Sequence, residues 1–306
     1  MTQRNFNRIK RLSCVVTRNT CSCNLDNNVH KYGDDQTKRV LDLNGLTIVK
    51  LGGSVITHKG VSPPTVNQDN LSRIAHELKT SIQPLIIILG GGAHGHQAAH
   101  RHGFGDPSTS SEQLLRGIPT IRHNMSILST AVEQSLNETG IHGVVLPPFL
   151  MATLDNKELV SFQTSLIERV IHSGLTVITH GDVCFDESLG ASILSGDTIA
   201  VYLAKKLKAT SLYIGTDVDG VLEENPQTNP KAARIEVIDA TNIGSILDRA
   251  GPSSATDVTG GMEKKLGEIL TLAGLDIDIA IFNLGVPDRL SALLSGKTPR
   301  CTRIRL

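Results

Sequence analysis

The chain has 306 residues, and its 30 Lys and Arg residues balance 30 Asp and Glu residues, so the formal net charge is zero. A nucleic-acid-binding protein of this size usually carries a basic excess, so that class is disfavoured. Aromatic residues make up 3% of the chain and Trp is absent, which argues against a base-stacking surface. No apolar run approaches the roughly 20 residues of a membrane-spanning helix.

The cysteine pattern predicts a reducing compartment. The chain has 5 cysteines, of which three fall near the start and two are far apart. This pattern is not typical of a disulfide framework or of paired zinc-binding motifs. We therefore expect a cytoplasmic protein.

Residues 1–44 differ in composition from the rest of the chain. Several Arg and Lys residues precede the first acidic residue, Asp26, and apolar periodicity is weak. An Arg-rich, acid-poor start is typical of organellar targeting segments, and a disordered tail or a start codon assigned too early are the alternatives. We predict an N-terminal extension over 1–44 and one domain over 45–306.

Strand and helix patterns alternate from residue 46 onward. Apolar, β-rich runs predict strands over 46–51, 85–89, 142–146, 175–179, 212–215 and 277–282. Helical spacing predicts helices over 70–81, 126–139, 163–173, 198–207 and 262–273. Residues 223–232 and 251–261 are predicted loops. The repeated succession of strand, glycine turn and helix predicts an α/β fold with a mainly parallel sheet.

Polar, glycine-rich segments follow the predicted strands at 52–54, 90–96, 180–182 and 215–220. In parallel sheets, ligands bind at the carboxyl ends of the strands. Lys50 directly precedes the first turn, in Lys50-Leu-Gly-Gly-Ser54, where glycine amides and a lysine charge suit phosphate oxygens. The lysine precedes the glycines, so this is not a Walker motif, and a structural turn beside an exposed lysine is the alternative.

The second glycine segment, Gly90-Gly-Gly-Ala-His-Gly-His96, does not match the dinucleotide-binding fingerprint. His96 lies among glycines, so a hydrogen bond from its ring to an anionic ligand is favoured over a structural role. Nearby His94, His100 and His102 raise metal binding as an alternative. The lack of local carboxylates and cysteines disfavours a metal site.

Three later segments carry further charged candidates. Asp197, in a Ser-Gly-Asp motif, stands at a helix start, where an N-cap and a catalytic role are both open. Asp217 and Asp219 follow a predicted strand and would bind ribose, bind metal or cap a turn. In Thr-Gly-Gly-Met-x-x-Lys265, the glycines suit a phosphate at a helix N-terminus. Lys265, one turn into that helix, would reach the same phosphates or be an ordinary surface lysine.

Taken together, these motifs resemble the amino acid kinase superfamily, and within it the isopentenyl phosphate kinases. The motifs, in the family's order, are Lys50-x-Gly-Gly-Ser, Gly-Gly-Gly-x-x-Gly-His96, His-Gly-Asp182, Ser-Gly-Asp197, Thr-Asp-Val-Asp-Gly220 and Asp-Val-Thr-Gly-Gly-Met-x-x-Lys265. The resemblance implies a three-layer α/β/α sandwich around a mainly parallel sheet of about eight strands. It also implies an acceptor-binding N-terminal part, an ATP-binding C-terminal part and a homodimer. The implied reaction is phosphorylation of isopentenyl phosphate to isopentenyl diphosphate, an isoprenoid precursor, with ATP and Mg²⁺.

The resemblance implies roles for individual residues. Lys50 and Lys265 would neutralise phosphate charge, and Asp197 would orient these two lysines. Lys59 matches a further catalytic lysine of the family, and His96 would hold the acceptor's phosphate. The implied nucleotide contacts are Lys50, Gly52, Gly53, Ser54, Gly92, Asp217, Gly220, Gly261 and Lys265. The implied acceptor contacts are Gly91, Gly92, His96, Gly181 and Asp182. A phosphate acceptor is already an anion, so no general base is needed.

Two departures from the family pattern touch the acceptor site. His94 stands where an aromatic residue is usual in the relatives, and Ala93 replaces a frequent serine. Candidates for an apolar tail pocket are Leu114, Leu115, Ile118, Ile121, Met125 and Leu128, with core packing as the alternative. The competing hypotheses are a kinase of the same fold for fosfomycin or an acylated amino acid, and a non-catalytic nucleotide-binding regulator. The presence of Lys50, Asp197 and Lys265 disfavours the regulator.

Overall fold

A computed structural model describes residues 45–224, 229, 231–249 and 261–306. The predicted extension over 1–44 lies outside the described residues. So do most of the predicted loop over 251–261 and part of the one over 223–232. In the described part of the chain, every helix is too short or too polar to cross a membrane.

Strands and helices alternate along the described chain, as predicted. The strands are β1 (Thr47–Leu51), β2 (Leu85–Leu89), β3 (Gly143–Val145), β4 (Ala152–Asp155), β5 (Glu158–Phe162), β6 (Thr176–His180), β7 (Asp182–Asp186), β8 (Gly190–Leu194), β9 (Ser211–Thr216), β10 (Val237–Asp239), β11 (Asp278–Asn283) and β12 (Cys301–Arg305). The helices are α1 (Gly53–Ile56), α2 (Gln68–Leu78), α3 (Gly92–Arg101), α4 (Ser111–Glu138), α5 (Ser165–His172), α6 (Gly196–Lys206), α7 (Ile243–Arg249), α8 (Gly261–Leu270) and α9 (Arg289–Leu294). A short 3-10 helix at Pro148–Leu150 lies between β3 and β4.

The central sheet has 8 strands in the order β10-β12-β11-β9-β1-β2-β6-β3. Within it, β12 is antiparallel to β11, and the other neighbouring strands pair in parallel. The predicted mainly parallel sheet of about eight strands is therefore confirmed. Because β1, β2, β6 and β9 run in the same direction, the glycine-rich segments after them meet at one edge of the sheet.

Helices cover both faces of this sheet. Alternate residues of β1 enter different apolar clusters, with Ile48 in one and Val49 in the other. The Ile48 cluster contains buried residues of α5, α6, α7 and α8, whereas the Val49 cluster contains those of α1, α2, α3, α4 and α9. The strands LTIVKL and LIIIL are apolar on both faces because a helix layer lies against each. The predicted three-layer α/β/α sandwich is thus confirmed.

A second sheet of 4 strands, in the order β5-β4-β7-β8, was not predicted. Two further predictions were incomplete. The segment predicted as a glycine loop over 90–96 becomes helical at Gly92, and α4 begins at Ser111 although we predicted a helix only from residue 126. Pro119 lies inside α4, and a proline within a helix removes one backbone hydrogen bond, which weakens the helical pattern of this part of the sequence.

Candidate active site

A carboxylate flanked by two lysines lies at the carboxyl edge of the central sheet. Lys50 Nζ is 3.2 Å from Asp197 Oδ1, and Lys265 Nζ is 2.6 Å from Asp197 Oδ2. The Lys50, Lys265 and Asp197 side chains are only 10%, 12% and 16% exposed. The fold therefore brings together three predicted site residues that lie in separate parts of the sequence.

The pleat of β1 decides where the Lys50 side chain goes. Lys50 alternates with Val49, so its side chain leaves the sheet on the face that carries Ile48. That face is covered by α6 and α8, which supply Asp197 and Lys265. The ion pairs therefore follow from strand alternation and from the order of the helix layers.

Ser195, and not Asp197, is the N-cap of α6. The Ser195 Oγ accepts a hydrogen bond from the backbone N–H of Thr198 at 3.0 Å. Of the two roles open for Asp197, the cap is thus filled by its neighbour. The Asp197 carboxylate lies in the first helical turn, where the helix dipole stabilises a negative charge, and it is left to bind the lysines.

The electrostatics of this cluster favour an anionic ligand. Burial raises the pKa of Asp197, but the charges of Lys265 and Lys50 outweigh it, so the pKa of the carboxyl lies well below its usual range. Burial lowers the pKa of Lys50, and the charge of Asp197 opposes that shift. Two ammonium groups beside one carboxylate leave a positive balance, and each ammonium has further N–H donors to offer phosphate oxygens.

The glycine turns after β1 and β2 pack backbone against backbone. A Cβ on Gly53 would lie 2.2 Å from the nitrogen of Gly92, and one on Gly90 would lie 2.7 Å from the nitrogen of Gly53. Gly92 also has a φ of +50°. Thr57 joins the turns, because its Oγ1 donates to Gly53 O at 2.8 Å and accepts from the backbone N–H of Ala93 at 3.1 Å. Side chains at these glycines would force the turns apart.

The other predicted residues of the first and last motifs lie close to these elements. Gly52 is packed so closely that a Cβ there would lie 2.6 Å from the carbonyl oxygen of Gly215, at the end of β9. Ser54 lies half-buried on α1, and Gly91 precedes α3 as its N-cap. Gly261 is the first residue of α8.

His96 lies on α3, slightly more than one turn from its start, and is half-buried. His94 is 2% exposed, and its Nδ1 has no hydrogen-bond partner among the described residues. Burial lowers the pKa of His94, which therefore favours the neutral ring. The side-chain amide of Asn124 donates to His94 O at 3.2 Å and so ties α3 to α4.

Gly181 and Asp182 follow β6, next to the start of α6. A Cβ on Gly181 would lie 3.0 Å from the nitrogen of Gly196. The Asp182 side chain is fully buried, pairs with Arg122 of α4 and accepts from the backbone N–H of Val183 at 2.9 Å. Burial raises the pKa of Asp182 to about 6, although Arg122 opposes this shift. The carboxylate therefore has an internal partner, and its predicted contact with an acceptor stays a prediction.

Lys59 and Asp217 form a more exposed ion pair. Lys59 Nζ lies 2.5 Å from Asp217 Oδ2, and the two side chains are 68% and 41% exposed. Burial raises the pKa of Asp217, but the hydrogen bond and charge of Lys59 lower it further, so the net shift is downward. Asp219 instead pairs with Arg289 and Arg300, each at 2.7 Å. Of the two aspartates after β9, only Asp217 therefore pairs with a predicted site lysine.

Gly220 ends the turn after β9 with a φ of +143°, and a Cβ there would lie 2.3 Å from Thr302 Oγ1.

Sequence reasoning did not single out Thr57, Arg122, Thr198 or Glu268, all of which contact predicted site residues or their neighbours. Thr57 carried a weak signal, because it lies between the first glycine turn and Lys59.

Comparisons with known proteins agree with this geometry. The model of the amino acid kinase family matches residues 45–283. An isopentenyl phosphate kinase of Methanothermobacter thermautotrophicus is 34% identical over 265 residues, which cover 85% of this chain and 98% of that protein. One of Methanocaldococcus jannaschii is 35% identical over 234 residues, 73% of this chain and 86% of that protein.

A solved structure described as that of an isopentenyl phosphate kinase superimposes with a TM-score of 0.74 at 31% identity. The match covers 85% of this chain and 99% of that chain. The protein therefore belongs to the amino acid kinase family. The two relatives and the solved structure named above are isopentenyl phosphate kinases, in agreement with the resemblance of the sequence motifs.

Proposed function

We propose that the protein is an ATP-dependent kinase that converts isopentenyl phosphate to isopentenyl diphosphate. The observation that carries this proposal is the convergence of Lys50 and Lys265 on Asp197 at the sheet edge where the glycine turns meet. Relatives named isopentenyl phosphate kinases match this chain along nearly their full length, and their names support isopentenyl phosphate as the acceptor.

The reaction needs positioning and charge stabilisation more than covalent help. A phosphate oxygen of the acceptor attacks the γ-phosphorus of ATP, a new P–O bond forms, and the bond to ADP breaks. Lys50 and Lys265 neutralise the charge on the moving phosphoryl group, while the amides of the glycine turns donate hydrogen bonds to its oxygens. The attacking oxygen is already anionic, so no side chain has to remove a proton.

The acceptor lies, in this proposal, against α3 and α4. His96 donates to the acceptor's phosphate, and the backbone at Gly91, Gly92 and Gly181 approaches it without side chains in the way. Met125 of α4 forms the floor, because its Sδ lies 3.2 Å from where a Cβ on Gly95 would be. Met125 is fully buried and belongs to the apolar cluster that α3 and α4 share.

In this proposal, Mg²⁺ binds together with ATP as the MgATP complex. Within the described residues, no three His, Cys, Asp or Glu side chains lie together as a metal site. Asp197, the carboxylate nearest the proposed phosphates, is already bound by two lysines. This donor set fits Mg²⁺ held mainly by phosphate oxygens and water, the mode that this ion prefers with nucleotides. When bound, Mg²⁺ offsets phosphate charge.

We also propose a cytoplasmic homodimer. The cysteine pattern of the sequence supports the cytoplasmic location, and the family resemblance supports the homodimer.

A coupled ADP-release assay with MgATP tests the proposal. The acceptors are isopentenyl phosphate, dimethylallyl phosphate, fosfomycin and N-acetylglutamate, and the expected result is turnover with the two prenyl phosphates. Turnover with fosfomycin or N-acetylglutamate alone would keep the kinase but move its acceptor, with His94 and Ala93 the first residues to exchange. ATP binding without turnover on any acceptor would contradict the kinase proposal and favour a nucleotide-binding regulator.

A further inference from the structure

A chain of three polar side chains links the start of α6 to α8. Ser195 Oγ lies 2.8 Å from Thr198 Oγ1, and Thr198 Oγ1 donates to Glu268 Oε1 at 2.5 Å. Thr198 directly follows Asp197, and Glu268 lies about one helical turn after Lys265. The Thr198–Glu268 hydrogen bond is therefore a second link between the same two helices that the Lys265–Asp197 ion pair joins.

The donors and acceptors of this chain have one consistent arrangement. Ser195 Oγ accepts from the backbone N–H of Thr198 at 3.0 Å. The Thr198 hydroxyl has a single hydrogen, which it gives to Glu268, so the Ser195 hydroxyl donates to Thr198 Oγ1. The cap of α6 and the contact to α8 are thus parts of one network, and loss of the Thr198 hydroxyl would break it in the middle.

Lys265 depends on such a link more than Lys50 does. Lys50 lies on β1, which is hydrogen-bonded on both sides by β2 and β9, so its backbone is fixed by the sheet. Lys265 lies on α8, a surface helix that packs on α6 through buried residues such as Leu266 and Ile269. Apolar contacts alone let a helix slide and rotate slightly. Such a shift of α8 would displace the ammonium group at the end of the long Lys265 side chain.

Burial of the Glu268 carboxyl group lowers the stability of the folded protein. Glu268 is half-buried, and its Oε2 is enclosed without a hydrogen-bond partner among the residues described. Burial and then the charge of Asp197 raise the pKa of Glu268, while the Thr198 hydroxyl opposes the shift. An enclosed carboxyl oxygen without a partner destabilises the folded protein. A role for the other oxygen, Oε1, explains why a carboxyl group stands here.

We infer that Thr198 and Glu268 are positioning residues for phosphoryl transfer, which hold α8 in the register that keeps Lys265 on Asp197. They touch neither ATP nor acceptor and act through Lys265. The inference rests on the proposed kinase function. Because Lys265 acts on charge that develops during transfer, misplacing it lowers kcat more than it raises KM.

Kinetics of Thr198→Val test the inference, because valine keeps the shape and removes the hydroxyl. We expect kcat with isopentenyl phosphate to fall about tenfold, the size of effect expected for one lost hydrogen bond, with KM for ATP and acceptor changed less than about threefold. Thr198→Ser retains the hydroxyl and should restore kcat. The matched control is Thr271→Val, directly after α8, whose exposed hydroxyl donates to the backbone carbonyl Glu268 O.

A second pair of variants tests Glu268, which accepts the hydrogen bond from Thr198. Glu268→Gln keeps an oxygen that can accept this hydrogen bond and should retain most of kcat, whereas Glu268→Ala should lose about as much as Thr198→Val. The exposed Glu263→Ala on the same helix is the control for losing a carboxylate. If the two residues act as one link, the double variant Thr198→Val/Glu268→Ala should be no slower than the slower single variant.

Several outcomes overturn the inference while leaving the kinase intact. These are unchanged kcat in both Thr198→Val and Glu268→Ala, a loss in Glu268→Gln equal to that in Glu268→Ala, and losses that multiply in the double variant. Thermal unfolding of each variant shows which ones remain folded at the assay temperature, and Glu268→Ala against Glu268→Gln decides the question if Thr198→Val does not fold. A wild-type protein without turnover on any acceptor is a failure of the proposed function.

Discussion

The hydroxyl of Thr57 accepts a hydrogen bond from the backbone N–H of Ala93 at 3.1 Å and joins the two glycine turns of the site. The same oxygen donates to Gly53 O at 2.8 Å, so one side chain fixes the first turn and the start of α3 together. Lys50 precedes the first turn and His96 follows the second. The spacing between the proposed ATP and acceptor sites therefore depends on a residue that carries no charge.

Replacing Thr57 with valine should weaken both folding and turnover. Thr57 is 2% exposed, and the variant leaves the Ala93 N–H without its acceptor, which costs about 1–3 kcal/mol of unfolding free energy. Urea unfolding and kcat are the measurements, with Thr57→Ser expected to recover much of both. Thr80→Val is the control, because that hydroxyl bonds only to Glu77 O at the exposed end of α2. Equal values for Thr57→Val and wild type would contradict the assigned link.

Lys59→Met should affect activity without affecting stability. The ion pair with Asp217 is largely exposed, so its loss should change the unfolding free energy by about 1 kcal/mol at most. Loss of a cation beside the proposed nucleotide site should lower kcat/KM for ATP about tenfold or more. Lys79→Met, an exposed lysine at the end of α2, is the control. Unchanged kcat/KM would remove Lys59 from the site.

Met125→Ala should widen the range of acceptors. Met125 is fully buried on α4 against the glycine segment, so the shorter side chain leaves space for a longer prenyl tail. The same cavity should cost about 2–5 kcal/mol of unfolding free energy. Turnover with a series of prenyl phosphates of increasing length is the measurement. Ile127→Ala is the control, since Ile127 is 47% exposed on the same helix. An unchanged chain-length preference would place the tail elsewhere.

His180 should make the protein less stable in mild acid. Burial lowers the pKa of His180 to about 4, although its hydrogen bond to Gly181 O opposes the shift. The unfolded imidazole has a pKa of about 6.5, so between these values the unfolded chain binds more protons than the native one. The free energy of unfolding should therefore fall as pH drops through this window, by ~3 kcal/mol from His180.

The comparison of wild type with His180→Gln measures this contribution together with the effect of the ring on Asp182, whose Oδ2 lies 3.7 Å from His180 Nδ1. Asp182, whose pKa burial raises to about 6, contributes with the opposite sign over its own range, and both it and Arg122 are present in both proteins. Urea unfolding between about pH 7.5 and pH 4 should show the wild type losing its advantage over the variant as pH falls. A difference that does not vary with pH would contradict the burial of a neutral ring. His76→Gln is the matched control, because it makes the same substitution at an exposed position of α2.

The strands that form the middle of the sheet could be predicted from the sequence because they are apolar on both faces. LTIVKL and LIIIL match β1 and β2 to within a residue, and the glycines after them mark the strand ends. The second sheet could not, since β4, β5, β7 and β8 are short and mix polar with apolar residues. The helix α3 was missed because Gly92 and Gly95 lower helix propensity, which tertiary packing overrides here.

The charged centre of the site was predictable, but its supports were not. Lys50, Asp197 and Lys265 each stand beside glycines in motifs that point to phosphate chemistry. Arg122 and Glu268 lie within helices among ordinary charged residues, so nothing local distinguishes them. Their partners, Asp182 and Thr198, are distant in sequence, and only the packing of α4 and α8 identifies them.

The most direct test of the account is phosphorus NMR of the reaction of isopentenyl phosphate with MgATP, catalysed by wild type, Lys265→Met and Lys264→Met. Lys264 neighbours Lys265 on α8 but is exposed, so it controls for the loss of a lysine. We predict diphosphate resonances of a new prenyl product with wild type and Lys264→Met, and a rate at least about 100-fold lower with Lys265→Met. Equal product formation by Lys265→Met, or none by the wild type, would contradict the account.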